Sequence, residues 1–173
     1  GKVTIGNGAI VQNFIDIPSL DGPAIYMTGG TLNILDGAVI QNNRSNQQGG
    51  VIQAYHGTNL NISGGSFINN KTNKSDGGAI ATYGKLNITG GVFDNNVANK
   101  TGGAIKAGSR ADATIRNATF KNNQASTGGA IHSGNKITIS DSNFENNQSN
   151  WGGAVFAGKD IDLSNIKLSL IHI

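Results

Sequence analysis

The chain contains no cysteine, few aromatic residues and few charges. The absence of cysteine excludes disulfides and thiolate metal sites, and it is compatible with an exported protein. Charged residues make up 13% and aromatic residues 6% of the 173 residues. The net charge of +3 is spread evenly, so no basic patch predicts a nucleic-acid partner. The longest apolar run falls short of about 18 residues, so the sequence predicts no membrane-spanning helix.

What the chain has in excess is glycine, with 26 residues, together with a repeated pattern of apolar positions. An apolar-x-apolar triplet recurs at intervals of 24–29 residues, at Val3/Ile5, Leu32/Ile34, Leu60/Ile62, Leu86/Ile88, Ala113/Ile115, Ile137/Ile139 and Ile161/Leu163. Its two-residue period indicates a strand with one buried face, and glycine interrupts every stretch that could form a helix. Self-similarity at such a period is typical of a solenoid.

Two further columns follow each triplet. One holds Ile10, Val39, Phe67, Phe93, Phe120 and Phe144, and the other holds Asn13, Asn42, Asn70, Asn96, Asn123 and Asn147. We expect the phenylalanines to stack inside the solenoid and the asparagines, from Asn42 to Asn147, to form a side-chain ladder along its axis. A Gly-Gly-Ala-Ile element then follows, at residues 77–80, 102–105 and 128–131 and in variant form elsewhere.

The pattern predicts an all-β fold, a right-handed parallel β-helix of about seven coils of 24–29 residues. Charges outside the apolar columns alternate in sign from coil to coil, as in Lys85, Asp112, Lys136 and Asp160. Opposite charges stacked at strand spacing attract each other, which supports the alignment and predicts a surface ladder of ion pairs.

We expect one β-helix domain over residues 1–167, as a fragment of a longer protein, because the chain opens at Gly1 inside a predicted strand without a signal peptide. The last six residues, LSLIHI at 168–173, resemble the translation of a sequencing adapter. We therefore interpret them as a non-native tail of a metagenomic fragment. Unpaired strand edges at the two ends predict end-to-end self-association.

The GGAI elements are paired with FxxN motifs, which read FINN at 67, FDNN at 93, FKNN at 120 and FENN at 144. This pairing resembles the passenger repeats of the chlamydial polymorphic membrane proteins, which are autotransporter adhesins. It is also similar to adhesin-like β-helix proteins of the pectin lyase-like fold on bacterial and archaeal surfaces. The resemblance implies a secreted, non-enzymatic protein of the outer membrane or cell wall that binds host or environmental surface glycans or proteins, without a cofactor.

The alternative function is that of a β-helix polysaccharide lyase or glycoside hydrolase. Its candidate catalytic residues are Asp112, Asp160 and Asp162, on one outward strand face. Two coils separate Asp112 from Asp160, about 9.6 Å at the usual strand spacing. That is the upper edge of the carboxylate separation in inverting glycosidases. Lys136 lies between them, however, and this favours a surface ion-pair ladder over an active site.

A binding function has candidates at the position after each GGAI-type isoleucine, which should face outward. Tyr26, His132 and Phe156 occupy this position, and Tyr83 lies in a nearby turn, as do Tyr55 and Trp151. Exposed aromatic side chains along one solenoid face are suited to stacking on sugars or on a protein partner. No metal site is predicted, because His56 and His132 share no column.

Overall fold

The computed structural model describes residues 1–15 and 22–169, and all of their strand pairs are parallel. Seven strands form the first sheet, one for each predicted apolar triplet, and the chain is a β-solenoid of about six turns. The described residues include no α-helix, and so none that is long and apolar enough to cross a membrane.

The first sheet follows the apolar triplets. Its strands, in order along the axis, are Lys2–Ile5, Gly30–Ile34, Thr58–Ile62, Lys85–Ile88, Asp112–Arg116, Ile137–Ser140 and Ile161–Ser164. The second sheet carries the phenylalanines. Its strands are Ile10–Gln12, Val39–Gln41, Ser66–Ile68, Val92–Asp94, Thr119–Lys121, Asn143–Glu145 and Lys167–Ser169. The last of these strands crosses from residue 167 into the predicted tail, of which residues 170–173 lie outside the described residues.

Two shorter sheets complete each turn. The third sheet consists of Arg44–Ser45, Lys71–Thr72 and Val97–Ala98. The fourth sheet begins at the end of each Gly-Gly-Ala-Ile element, and its strands are Ile25–Met27, Ile52–Ala54, Ile80–Thr82, Ile105–Ala107, Ile131–Ser133 and Val155–Ala157. Apolar side chains from the first, second and fourth sheets share one buried core.

A file of phenylalanines runs through this core. Phe67, Phe93, Phe120 and Phe144 are at most 1% exposed. Their ring centroids are 4.6, 4.7 and 5.0 Å apart in succession, and the rings are within 9° of parallel. Burial of each phenylalanine side chain contributes about 1.5–3 kcal/mol to the free energy of folding.

A ladder of buried asparagines, Asn43, Asn70, Asn96, Asn123 and Asn147, runs beside this file. The oxygen of Asn96 accepts hydrogen bonds from the backbone N–H and the side-chain Nδ2 of Asn70, both at 3.0 Å. The Nδ2 of Asn96 donates to the Phe67 carbonyl at 2.9 Å and to Asn123 Oδ1 at 3.1 Å. Each amide therefore satisfies buried backbone groups as well as its neighbour in the ladder.

The first two coils depart from the predicted register by one residue. Val11 and Ile40, rather than Ile10 and Val39, align with Phe67 in the second sheet. The cause is a turn that is one residue longer in these coils. In the second coil it is closed by a hydrogen bond of 3.3 Å from the backbone N–H of Ala38 to the Leu35 carbonyl.

The same shift corrects the prediction for Asn42. This residue lies outside the ladder, and its place is taken by Asn43. Asn42 is exposed and has a φ of 56°, close to the 58° of Asn13 in the coil before it. Asparagine is among the few residues that adopt this left-handed conformation readily, so both positions serve the turn.

The paired glycines have two different structural causes, seen at Gly77 and Gly78. Gly77 has a φ of 68°, and a Cβ there would collide with the Ile80 carbonyl. Gly78 has an ordinary φ, but a Cβ would collide with the carbonyl of Gly103 in the next coil. The first glycine is required by its own backbone conformation and the second by the close stacking of successive turns.

Candidate ligand-binding face

The outward side chains of the fourth sheet form one column along the axis. Register pairing places Tyr26, Gln53, Ala81, Lys106, His132 and Phe156 in successive coils. A second column, immediately before the paired glycines, holds Gln48, Asp76, Thr101, Thr127 and Trp151. On the other side of the sheet, the turns after the strands carry Tyr55, His56 and Tyr83. We call these three sets of residues together the aromatic face.

Three tyrosines lie in succession at one end of the aromatic face. The ring centroids of Tyr26 and Tyr55 are 5.5 Å apart, and those of Tyr55 and Tyr83 are 5.8 Å apart. Tyr26 is 58% and Tyr55 38% exposed, whereas Tyr83 is half-buried. The predicted candidates Tyr26 and Tyr83 are thus linked through Tyr55, which supplies the ring between them.

Glutamine side chains hold these tyrosines in place. The Tyr83 hydroxyl donates to Gln48 Oε1 at 2.6 Å, across the outer surface of the sheet. The Nε2 of Gln53 donates to the Tyr55 hydroxyl oxygen at 3.2 Å. Burial raises the pKa of Tyr83 above its usual value, so its hydroxyl stays protonated and remains a donor. A glutamine side chain therefore fixes the hydroxyl end of each of these two tyrosines.

Lys106 and His132 form the middle of the aromatic face. Lys106 Nζ lies 2.8 Å from His132 Nδ1. Burial, followed by the charge of Lys106, lowers the pKa of His132 to about 4, so the ring is neutral at physiological pH. An ammonium only donates, and hence Nδ1 accepts the hydrogen bond and the ring proton lies on Nε2. Burial also lowers the pKa of Lys106, and the Asp76 carboxylate partly offsets this effect.

The other end of the aromatic face is more open. The His132 ring stacks on Phe156 with centroids 4.9 Å apart and planes 20° from parallel. Phe156 is 36% exposed, and Trp151 in the neighbouring column is 72% exposed. His132 and Phe156 are therefore in contact with each other, while Lys106 separates them from the three tyrosines.

The candidate catalytic carboxylates lie on a different surface. Asp112, Asp160 and Asp162 project from or border the first sheet, and all three are exposed. Lys136 forms an ion pair with Asp162, with 2.8 Å from Nζ to Oδ2, rather than with Asp160 as the charge column predicts. The long lysine side chain reaches the carboxylate of the paired strand two positions further on. Both side chains are more than half exposed, which is typical of a surface ion pair.

Alternating charges produce a second ion pair on the second sheet. Lys121 Nζ lies 3.2 Å from Asp94 Oδ2 in the coil before it. Among residues 1–15 and 22–169, these are the two ion pairs that form, and no group of three or more His, Asp or Glu side chains is arranged to hold a metal ion.

Sequence reasoning did not assign Gln48 and Asp76 to this face. Asp76 accepts hydrogen bonds from the backbone N–H of Thr101 at 3.1 Å and from its hydroxyl at 2.7 Å. Its second carboxylate oxygen faces Gln48 Nε2 at 3.5 Å. Their position in the repeat could have identified them, because both residues directly precede a Gly-Gly pair and so belong to one column.

The comparison with protein families found three matching segments, all to the Chlamydia polymorphic membrane protein repeat. They cover residues 90–108, 117–134 and 141–158. Each segment contains one strand of the second sheet, one ladder asparagine and one strand of the fourth sheet. The comparison with curated proteins found no significant match, and neither did the comparison with solved structures.

Proposed function

Because the chain is a polymorphic membrane protein-like β-helix repeat protein, we propose that it is a surface-exposed, autotransporter-like passenger segment with a binding function and no catalytic one. The repeats support this location at the outer membrane, where the solenoid presents its side surfaces to the surroundings. The proposed binding surface is the aromatic face, and its ligands are surface glycans or proteins.

The observation that carries this proposal is the clustering of exposed aromatic rings on one side. Among the described residues, the exposed aromatic side chains are Phe14, Tyr26, Tyr55, Trp151 and Phe156. All of them except Phe14 lie on the aromatic face. Exposed aromatic residues that gather in one patch mark interaction sites more often than scattered ones do.

The remaining surface contrasts with this face. The outward positions of the first sheet are polar, as in Asn33, Asn61, Asn87, Thr114 and Thr138, which are register partners. The amides of Asn61 and Asn33 bond to each other at 3.0 Å. A surface whose polar groups bond along its own axis offers fewer unpaired groups to a partner, so the first sheet serves as the matched control surface.

The test is a binding panel of immobilised glycans, extracellular matrix proteins and whole cells, probed with the labelled chain. We expect Tyr83→Ala and Phe156→Ser each to reduce binding to the best probe at least fivefold, because each removes ring area from the aromatic face. Thr114→Ala on the first sheet should leave binding unchanged. Binding that survives both aromatic substitutions, or no binding to any probe, would refute the proposal.

A further inference from the structure

A cavity of about 300 Å³ opens on the aromatic face where Tyr55 and Tyr83 meet. It is lined by the aromatic residues Tyr55, His56 and Tyr83 and by the polar residues Gln47, Gln48, Gln53 and Ser75. We propose that this cavity binds one neutral saccharide unit of a surface glycan. The inference rests on the binding function proposed above and specifies its ligand.

One buried residue that lines the cavity, Gln53, has an unused hydrogen-bond acceptor. Gln53 is only 7% exposed, and its Nε2 donates to the Tyr55 hydroxyl. Its Oε1 accepts no hydrogen bond from any residue in 1–15 or 22–169. A buried carbonyl without a partner is costly, so a donor from a ligand is favoured at this point. A saccharide hydroxyl supplies such a donor.

The walls of the cavity are preformed. Tyr83 is held at its hydroxyl by Gln48 in the coil before it. Its ring lies over Gly108 in the coil after it, where a Cβ would collide with the ring. His56 contacts the same ring edge-on, with centroids 5.8 Å apart. Binding therefore requires little ordering of the aromatic side chains, which lowers its entropic cost.

The residues that line the cavity offer both apolar and polar contacts. Aromatic rings present apolar surface, and the glutamine amides beside them present both donors and acceptors. A pyranose has the same two properties, with an apolar C–H patch on one face and hydroxyls around its edge. The volume is at the lower limit of ordinary ligand pockets, which begin at about 300 Å³, so one sugar unit fits better than a longer segment.

The charge of the cavity selects neutral sugars. Among residues 1–15 and 22–169, no Asp, Glu, Lys or Arg side chain lines it. The carboxylate of Asp76, which contacts the lining residue Gln48, is engaged by Thr101 and Gln48. Lys106 is directed towards His132, further along the aromatic face. An anionic sugar would thus enter without a cation to pair with, and its desolvation would not be compensated.

The experiment measures glycan binding by the whole chain and by the variant Gln53→Met. The probes are neutral, sialylated and sulfated glycans on an array, followed by calorimetric titration of the best neutral monosaccharide or oligosaccharide. Methionine keeps the length of the side chain but removes the amide, so we expect at least a tenfold increase in Kd. The matched control is Gln12→Met, which makes the same change on an exposed strand of the second sheet and should leave Kd unchanged.

A second variant guards against a folding defect. Tyr55→Leu removes an exposed ring from the cavity wall, and we expect it to weaken neutral-glycan binding at least tenfold with an unaltered melting curve. If neutral glycans bind the wild-type protein and both cavity variants with equal affinity, the assignment of the site is wrong. Exclusive binding of sialylated or sulfated glycans would overturn the neutral ligand.

The panel separates this inference from the function on which it rests. Binding to matrix proteins that is lost in Tyr83→Ala, without any glycan binding, would leave the proposed function standing and refute the saccharide site. The absence of binding to glycans, proteins and cells alike would refute both.

Discussion

Five coils carry two consecutive asparagines, and the structure uses the two in opposite ways. The pairs are 42–43, 69–70, 95–96, 122–123 and 146–147. The first asparagine of each pair is at the surface with a φ between 53° and 57°, and the second is at most 4% exposed inside the solenoid. The outer asparagine adopts the left-handed backbone conformation that the turn needs. The inner asparagine supplies hydrogen bonds to buried groups.

The comparison shows that residue identity alone does not determine what a repeat position contributes. In the outer column, Asn95 Nδ2 bonds to Asn69 Oδ1 at 2.7 Å, but both side chains are exposed to water. In the inner ladder, the hydrogen bonds of Asn96 have no solvent to replace them. Loss of the inner amide therefore leaves buried groups without partners, whereas loss of the outer amide mainly strains the turn.

The largest effect is expected for Asn96→Ala, compared with Asn95→Ala as its neighbour in the same turn. Removal of the Asn96 amide leaves the Asn70 backbone N–H buried without an acceptor, and it takes one hydrogen bond each from Asn70 Nδ2, the Phe67 carbonyl and Asn123 Oδ1. At about 1–3 kcal/mol for the orphaned donor and about 1 kcal/mol for each further lost bond, we expect the free energy of unfolding to fall by about 3–5 kcal/mol.

Urea denaturation followed by circular dichroism measures both variants. Asn95→Ala should cost only about 1–2 kcal/mol, the usual penalty of a left-handed conformation for a residue with a Cβ. Equal losses for the two variants would contradict the separation of inner and outer roles.

The stack of buried phenylalanines could be predicted from the sequence where the repeat is regular. From Phe67 to Phe144 a fixed number of residues separates each phenylalanine from its apolar triplet, and the structure stacks the four rings. In the first two coils, both residues at the relevant position are apolar, as in Val39 and Ile40. A shift of the register by one residue then leaves the apolar pattern unchanged. Only the turn geometry identifies which of the two residues is buried.

The prediction that Asn42 belongs to the ladder was wrong for the same reason. Asn42 and Asn43 are identical in the sequence, and the spacing that chose Asn42 assumed a turn of constant length. On the aromatic face, the columns of Tyr26 and Phe156 follow from the position after the GGAI-type isoleucine. The hydrogen bond from Tyr83 to Gln48 does not, because the two residues belong to different coils and lie beyond opposite ends of the fourth-sheet strands. Such a contact depends on side-chain rotamers, which spacing does not encode.

A smaller effect on stability is expected for other substitutions of Asn95, the outer asparagine of its pair. Glycine adopts a positive φ without steric cost, so Asn95→Gly should lie within about 0.5 kcal/mol of the wild-type free energy of unfolding. Asn95→Val should be worse than Asn95→Ala, because branching at Cβ disfavours this conformation further. The same urea series measures all three variants. A glycine variant as unstable as the alanine variant would show that the outer amide, rather than the backbone conformation, is what the turn requires.

The smallest effect concerns pH, and it extends the contrast between inside and outside. The buried polar side chains of the described residues are amides and hydroxyls, which do not titrate. His132 on the aromatic face does titrate, and burial and Lys106 lower its pKa to about 4, with Asp76 acting in the opposite direction. A folded-state pKa below the unfolded value of about 6.5 means that the folded protein binds fewer protons.

The contribution of His132 to stability is therefore complete above pH 6.5 and decreases as the pH falls towards 4. Because the ring is only half-buried, solvent screening limits the change to about 1 kcal/mol. The free energy of unfolding of wild type and His132→Gln, measured at pH 7 and at pH 4.5, isolates this group from the carboxylates that titrate in both proteins. We expect the wild type to lose more stability than the variant between the two pH values. Equal losses would mean that burial and the charge of Lys106 do not keep the imidazole neutral. The middle of the aromatic face would then carry more positive charge at acid pH than we infer.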